Sequence, residues 1–250
     1  MSSRIKVVFF DLDDTLYDHS FHIHSGISAL REQHSFLQAH SIESLNKLSH
    51  DLLEEVHARL LLGEISLNES RRIRWYKFLK NFGQELNFDP IEFSDSYLRA
   101  YYGSERALPG AIDLLRELRK EYRIGIISNN LLEEQLAKMR RIGIIEYIDF
   151  YAISDDVGYA KPDRRIFEIA LERGSVSQDE AVFIGDSWHI DITGALTAGI
   201  RPIWLNRSGM LPPEPGIAEI PSLEPVERVL NHIRSETPTP TTTNAEPPSA

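Results

Sequence analysis

Short apolar runs and longer amphipathic stretches alternate along two parts of the chain. The runs occupy residues 5–10, 123–127, 150–153, 181–184 and 202–205. They are rich in β-branched residues and nearly continuous in apolar character, which predicts strands buried on both faces, as in a parallel sheet covered by helices. Between them Ile112, Leu115, Leu118 and Tyr122 recur at helical spacing, as do Ile166, Ile169, Ala170 and Arg173, with Gly174 as the expected helix stop. Strand–helix alternation predicts right-handed βαβ units and an α/β doubly wound parallel sheet built from residues 1–17 and 107–235.

Residues 18–106 carry no comparable strand signal. They are rich in Leu, Glu, Arg and His, and Leu45, Leu48, Leu52, Leu53 and Val56 are spaced for amphipathic packing. Ser66-Leu67-Asn68-Glu69 has the form of a capping box, and Asp89-Pro90-Ile91-Glu92 that of a helix start with Pro at its first position. An all-helical insertion between the first and second core strands is expected. Residues 236–250 hold Pro238, Pro240, Pro247 and Pro248 among Thr, Ser and Ala, a composition that predicts a disordered tail.

Composition narrows the chemistry. Apolar residues make up 42% of 250, enough for a substantial core. The chain has no Cys, which removes thiol catalysis, disulfides and thiolate metal sites and suits a reducing, cytoplasmic setting. The first residues lack the pattern of a signal peptide, and no window approaches the roughly 18 apolar residues of a membrane span. A formal charge of −11 argues against a nucleic-acid partner. Seven of the nine His precede residue 60, but their spacing alone is weak evidence for zinc, and solvated or partly buried positions are the plainer expectation. Arg71, Arg72, Arg74, Trp75 and Tyr76 read equally well as a basic-aromatic patch or as one charged helix face. The sequence leaves the oligomeric state unknown.

Polar groups gather at the ends of the apolar runs. Asp11 and Asp13 follow the first, Ser128-Asn129-Asn130 the second, and Gly185-Asp186 the fourth. In an open parallel sheet, ligands bind beyond the carboxyl ends of the strands, so groups distant in sequence are expected to converge on one crevice. Two carboxylates as close as Asp11 and Asp13 repel unless a cation or a shared proton holds them, and Mg2+ suits an all-oxygen site. The Ser128 hydroxyl and the Asn129 and Asn130 main-chain N–H groups, which open the helix expected at Leu131-Leu132-Glu133, are candidate donors to a phosphate. Lys161, on a loop after the third run, is a candidate cation beside the acidic strand ends. Trp188 and His189 lie in position to line the pocket, with helix packing the plainer expectation.

These segments resemble the four ordered motifs of the haloacid dehalogenase (HAD) superfamily: Asp11-Leu12-Asp13-Asp14-Thr15-Leu16, Ser128-Asn129-Asn130, Lys161-Pro162, and Gly185-Asp186-Ser187-Trp188-His189-Ile190-Asp191. The likeness runs to about residue 230 and includes a small helical cap inserted after the first motif, here 18–106. It implies a Rossmann-like core and a Mg2+-dependent phosphatase acting on a small phosphorylated metabolite, a nucleoside monophosphate or sugar phosphate, with the cap selecting the leaving group. It implies that Asp11 is the nucleophile and forms an aspartyl-phosphate, and that Asp13 is the general acid and then the base. Ser128 and the Asn129 amide bind the phosphoryl group, and Lys161 neutralises charge. The metal is held by the Asp11 carboxylate, the Asp13 main-chain carbonyl and Asp186, while Asp191 places Lys161 or a metal-bound water. Dehalogenases of the family lack the second Asp of the first motif, so Asp13 favours phosphate esters. Phosphomutases keep both, and a mutase of the β-phosphoglucomutase type stays open, as does a binding protein without turnover. Lys47, Lys77 and Lys80 do not stand out as the cap lysine of phosphonate cleavage.

Overall fold

The computed structural model describes residues 5–235. The proline-rich segment 236–250, expected to be disordered, lies outside the described residues. The chain divides into two compact units, Asp18–Arg106 and the segments on either side of it.

The flanking segments form an α/β unit. Its strands are β1 (Val7–Phe10), β2 (Arg123–Ser128), β3 (Phe150–Ile153), β4 (Ala181–Gly185), β5 (Arg201–Leu205) and β6 (Ala218–Ile220). All pair in parallel in the order β3-β2-β1-β4-β5-β6. Every residue of β1 and β4 is buried, as expected of central strands covered on both faces. Phe9 and Phe183 pack on one face against Ile166, Phe167 and Ala170. β6 carries none of the continuous apolar character that marked the other five strands.

The inserted unit is helical: α1 (His19–Gln33), α2 (Ile42–Leu61), α3 (Leu67–Lys80) and α4 (Pro90–Gly103). Helix α1 packs on α4, and α3 on both α2 and α4. The box at the start of α3 forms in both directions, with the Ser66 side chain accepting from Glu69 N–H and the Glu69 carboxylate from Ser66 N–H. Asp89 caps α4 through the N–H groups of Ile91 and Glu92. The 71–76 stretch is not one basic surface. Arg74 and Trp75 are buried, with Arg74 donating to Ser49 Oγ at 2.6 Å, while Tyr76 is exposed. His22 is buried as well. Its Nε2 accepts from Arg106 N–H, so Nδ1 carries the proton toward Ser104 Oγ, and burial lowers its pKa.

The remaining helices belong to the α/β unit: α5 (Ala111–Leu118), α6 (Leu132–Arg141), α7 (Ser154–Val157), α8 (Arg164–Gly174), α9 (Thr193–Thr197) and α10 (Val226–Arg234). One boundary differs from expectation. Tyr122 lies beyond the end of α5, where the chain turns into β2. α8 ends at Gly174, the expected stop. The left-handed residue is Ser175, at φ 51°, and a Cβ on Gly174 would meet the Phe150 ring at 3.1 Å, so Gly174 serves close packing. Among the described residues no helix is long and apolar enough to cross a membrane.

Candidate active site

The strand order reverses between β1 and β4, whose neighbours run outward in opposite directions, and that point is where an open α/β sheet leaves a crevice. Phe10 is in register with Ile126 on one side and Ile184 on the other, so the three strands end within two residues of one another. Asp11, Ser128 and Asp186 therefore arrive together at one edge. Past Asp11 the chain leaves the sheet in a tight turn in which the Leu12 carbonyl accepts from the N–H groups of Leu16 and Tyr17, each at 2.9 Å. Asp14 takes a left-handed conformation there, at φ 60°, with Arg207 Nη2 at 2.9 Å from its Oδ1.

Lys161 is buried and donates to Asp11 Oδ1 at 2.5 Å and to Asp191 Oδ1 at 2.7 Å. Asp191 sits in a π-helical turn over Trp188–Ile192, where its Oδ2 accepts from Ser187 N–H at 3.0 Å. Its approach depends on Gly185, since a Cβ there would lie 2.6 Å from the Asp191 side chain. Carboxylate oxygens of Asp11, Asp186 and Asp191 all lie within 4.8 Å of one another. Among the described residues this is the one group of three or more His, Cys, Asp or Glu side chains in ligand reach, and no histidine set comparable to a zinc site occurs there.

Charge in this cluster does not balance. Three carboxylates face one ammonium, which leaves two negative charges in a site largely shut off from water. Burial pushes the Asp11 carboxyl up to about 7, against the opposing pull of Lys161 and with the repulsion of Asp191. Burial and the charges of Asp11 and Asp191 push Asp186 up to about 8. Burial alone would lower Lys161, but Asp11 and Asp191 hold it above the ordinary lysine range. Hard oxygen donors carrying an excess of two negative charges fit a divalent cation such as Mg2+.

Asn129 does not face outward with its side chain. Its Nδ2 donates to the Lys161 carbonyl at 2.9 Å, and its Oδ1 accepts from Lys161 N–H at 2.7 Å, so it clamps the loop that delivers the ammonium. Asn130 departs from expectation. Its N–H is taken by Ser154 Oγ at 2.9 Å, while the helix opens with Leu131 as N-cap and Leu132 N–H on Asp155 Oδ2. The Asn130 amide is therefore engaged by the protein rather than turned toward a ligand. Asp13 accepts from Gln135 Nε2 at 2.9 Å and from Lys138 Nζ at 2.6 Å. Gln135 also donates to Ser128 Oγ at 2.7 Å.

A family model for haloacid dehalogenase-like hydrolases matches residues 5–199, a span that includes all four strand-end motifs. The chain belongs to that family. It is 29% identical to the pyrimidine 5′-nucleotidase YjjG of Escherichia coli, over 89% of this chain and 96% of that protein. It is 33% identical to a glyceraldehyde 3-phosphate phosphatase of Methanothermobacter thermautotrophicus, over 81% and 86%. The crystal structure of the HAD-hydrolase YfnB of Bacillus subtilis bound to magnesium superposes with a TM-score of 0.69, at 26% identity, over 92% of this chain and all of that one. Solved dehalogenase structures share the fold as well.

As an HAD hydrolase the chain brings Asp11, Lys161, Asp186 and Asp191 into one cluster, with Asp13 and Ser128 joined beside it through Gln135. Gln135 and Lys138 had no signal in the sequence beyond their three-residue spacing on the helix after the second motif. Trp188 packs edge-on against Trp204, whose Nε1 donates to the Asp186 carbonyl, and His189 is exposed.

Proposed function

We propose that the chain is a Mg2+-dependent phosphohydrolase that cleaves a small phosphomonoester through an aspartyl-phosphate on Asp11. The observation that carries this reading is the Asp11 carboxylate at the switch point. Oδ1 is held by Lys161, Asp186 and Asp191 stand close by, and a second carboxylate follows two residues later. The names of the two curated relatives support a phosphate ester as substrate, and a nucleoside monophosphate or sugar phosphate is the class we favour. Retention of Asp13 supports an ester over a halide, because an alkoxide leaving group needs a proton and a halide does not.

The Asp11 and Asp186 carboxylates and the Asp13 main-chain carbonyl would hold Mg2+, which when bound supplies positive charge against the phosphoryl oxygens and the Asp11 carboxylate. Lys161 favours the ionised form of Asp11 and orients it, and its ammonium offsets phosphoryl charge. Asp11 attacks phosphorus, the bond to the leaving oxygen breaks, and that oxygen takes a proton from Asp13. Asp13 then removes a proton from water as the water attacks phosphorus, and the bond to Asp11 breaks to release phosphate. The Ser128 hydroxyl and Asn129 N–H are the donors assigned to the phosphoryl oxygens. Asp191 acts by placing Lys161. In the same reading 18–106 is the cap that selects the leaving group, and a cytoplasmic setting suits a cysteine-free enzyme.

The test is inorganic phosphate release from nucleoside monophosphates, sugar phosphates and p-nitrophenyl phosphate, with Mg2+, with EDTA, and with Asp11→Asn. Release that requires Mg2+ and vanishes in the variant is expected. Phosphate moved within a sugar phosphate without release would indicate a mutase, and no turnover of any ester would overturn the enzyme reading.

A further inference from the structure

Two side chains on α6 stand out because nothing assigned to the four motifs uses them. Gln135 is fully buried and sends its amide nitrogen to two acceptors, Ser128 Oγ at 2.7 Å and Asp13 Oδ2 at 2.9 Å. Lys138, one turn further along the same helix face, is also buried and reaches Asp13 Oδ1 at 2.6 Å, with its ammonium 5.2 Å from the centre of the Tyr17 ring. Both oxygens of the Asp13 carboxylate thus accept from one helix. The Lys138 side chain is only 6% exposed, so this contact is built into the fold rather than a surface encounter.

The direction of each bond matters. Both Nε2 protons of Gln135 are used, one on Ser128 and one on Asp13. Because the Ser128 oxygen accepts from Gln135, its own proton is free to point elsewhere, and the hydroxyl is left as a donor. Had the amide been turned the other way, its oxygen would draw in the Ser128 proton and repel Asp13. The fork formed by Gln135 and Lys138 fixes the position of the Asp13 carboxyl. The contacts seen suit the carboxylate form, which takes a proton from the attacking water. In the acid form one oxygen keeps its donor and the other presents the proton.

We propose that Gln135 and Lys138 are positioning residues for phosphoester cleavage: both aim Asp13 at the leaving-group oxygen, and Gln135 in addition sets Ser128 as a donor to the phosphoryl group. The inference rests on the phosphohydrolase reading and adds two residues to it. Neither residue touches substrate or metal in this assignment.

Leaving-group dependence tests it. p-Nitrophenolate departs with little need of a proton, whereas an alkyl oxide needs one. The measurement is kcat/KM for p-nitrophenyl phosphate and for the alkyl phosphate of the panel above that wild type cleaves fastest. Lys138→Met is expected to lower kcat/KM for the alkyl ester about tenfold or more relative to the aryl ester, a part of the ~10²–10⁴-fold that general acid–base catalysis supplies. Lys138→Arg, which keeps a charged donor, is expected to move the ratio back toward wild type. Gln135→Met is expected to shift the ratio the same way and also to weaken inhibition by inorganic phosphate, through Ser128. Thermal melts accompany each variant, and either α6 position alone suffices if the other fails to fold. Folded variants that lose both esters equally, or lose neither, would overturn the assignment while leaving the phosphohydrolase reading intact. A wild type that cleaves no ester would overturn both.

Discussion

Lys161 is the residue on which the cluster's electrostatics turn. It joins Asp11 to Asp191 from a buried position, and a lone ammonium among three carboxylates leaves an excess of negative charge that the fold does not neutralise. Burial, with that excess behind it, pushes Asp11 up to about 7 and Asp186 up to about 8. In metal-free protein these groups hold protons up to those values when folded but lose them in the ordinary carboxylate range when unfolded. The folded state therefore binds more protons, and stability falls as pH rises through the window. His22 and His34, whose pKa values burial lowers from 6.5, act with the opposite sign, but only around and below that value. Thermal melts of metal-free protein should thus fall between about pH 6.5 and about pH 8 by the linkage of bound protons to folding. Added Mg2+ should flatten that trend, with its affinity rising over the same range as the carboxylates ionise. Asp186→Asn should flatten it as well. A melting temperature that is level or climbs across this window would show that the carboxylates carry no such strain.

At the scale of elements, two contacts decide whether the site is assembled. The first is Gly185, at the end of β4, which lets the Asp191 side chain lie against the main chain. Gly185→Ala should displace Asp191 and with it Lys161, so turnover should fall while β4 stays paired; undiminished activity would mean that Asp191 does not place the ammonium. The second is α8, which rests on the sheet through Phe167, edge-on to Phe183 with ring centroids 5.4 Å apart. Phe167→Ala should cost about 3–5 kcal/mol in urea unfolding, the usual range for a buried aromatic in a core. Sequence patterning was most informative at this scale. The five strands with continuous apolar runs were legible because burial on both faces leaves no polar positions. β6 was not, because a three-residue strand reading Ala-Glu-Ile has no periodicity to detect. Gly174 was legible as the end of α8, but its close approach to the Phe150 ring was not, because the sequence shows a small residue and not the ring beside it.

For the whole molecule, the sheet order is what converts strand ends into a site. Alternating strands and helices implied a parallel sheet, and polar residues at three strand ends implied a crevice. The order β3-β2-β1-β4-β5-β6, with Asp11 and Asp186 on the two central strands, is a tertiary fact that no local pattern encodes. Asp11, Ser128, Lys161 and Asp186 were legible because each closes or follows an apolar run. Gln135 and Lys138 were not, because they lie inside an ordinary amphipathic helix and their partner Asp13 is more than a hundred residues away. Asn129 was legible in position only. Its side chain clamps the Lys161 main chain, a contact between loops that follow different strands.

The central claim is that Asp11 carries the phosphoryl group during turnover. Rapid acid quench during hydrolysis of a phosphomonoester, followed by peptide mass mapping, tests it most directly. The account predicts a phosphoryl adduct on Asp11, present with Mg2+ and absent with EDTA. Turnover with no adduct, or with an adduct on any other residue, would contradict it.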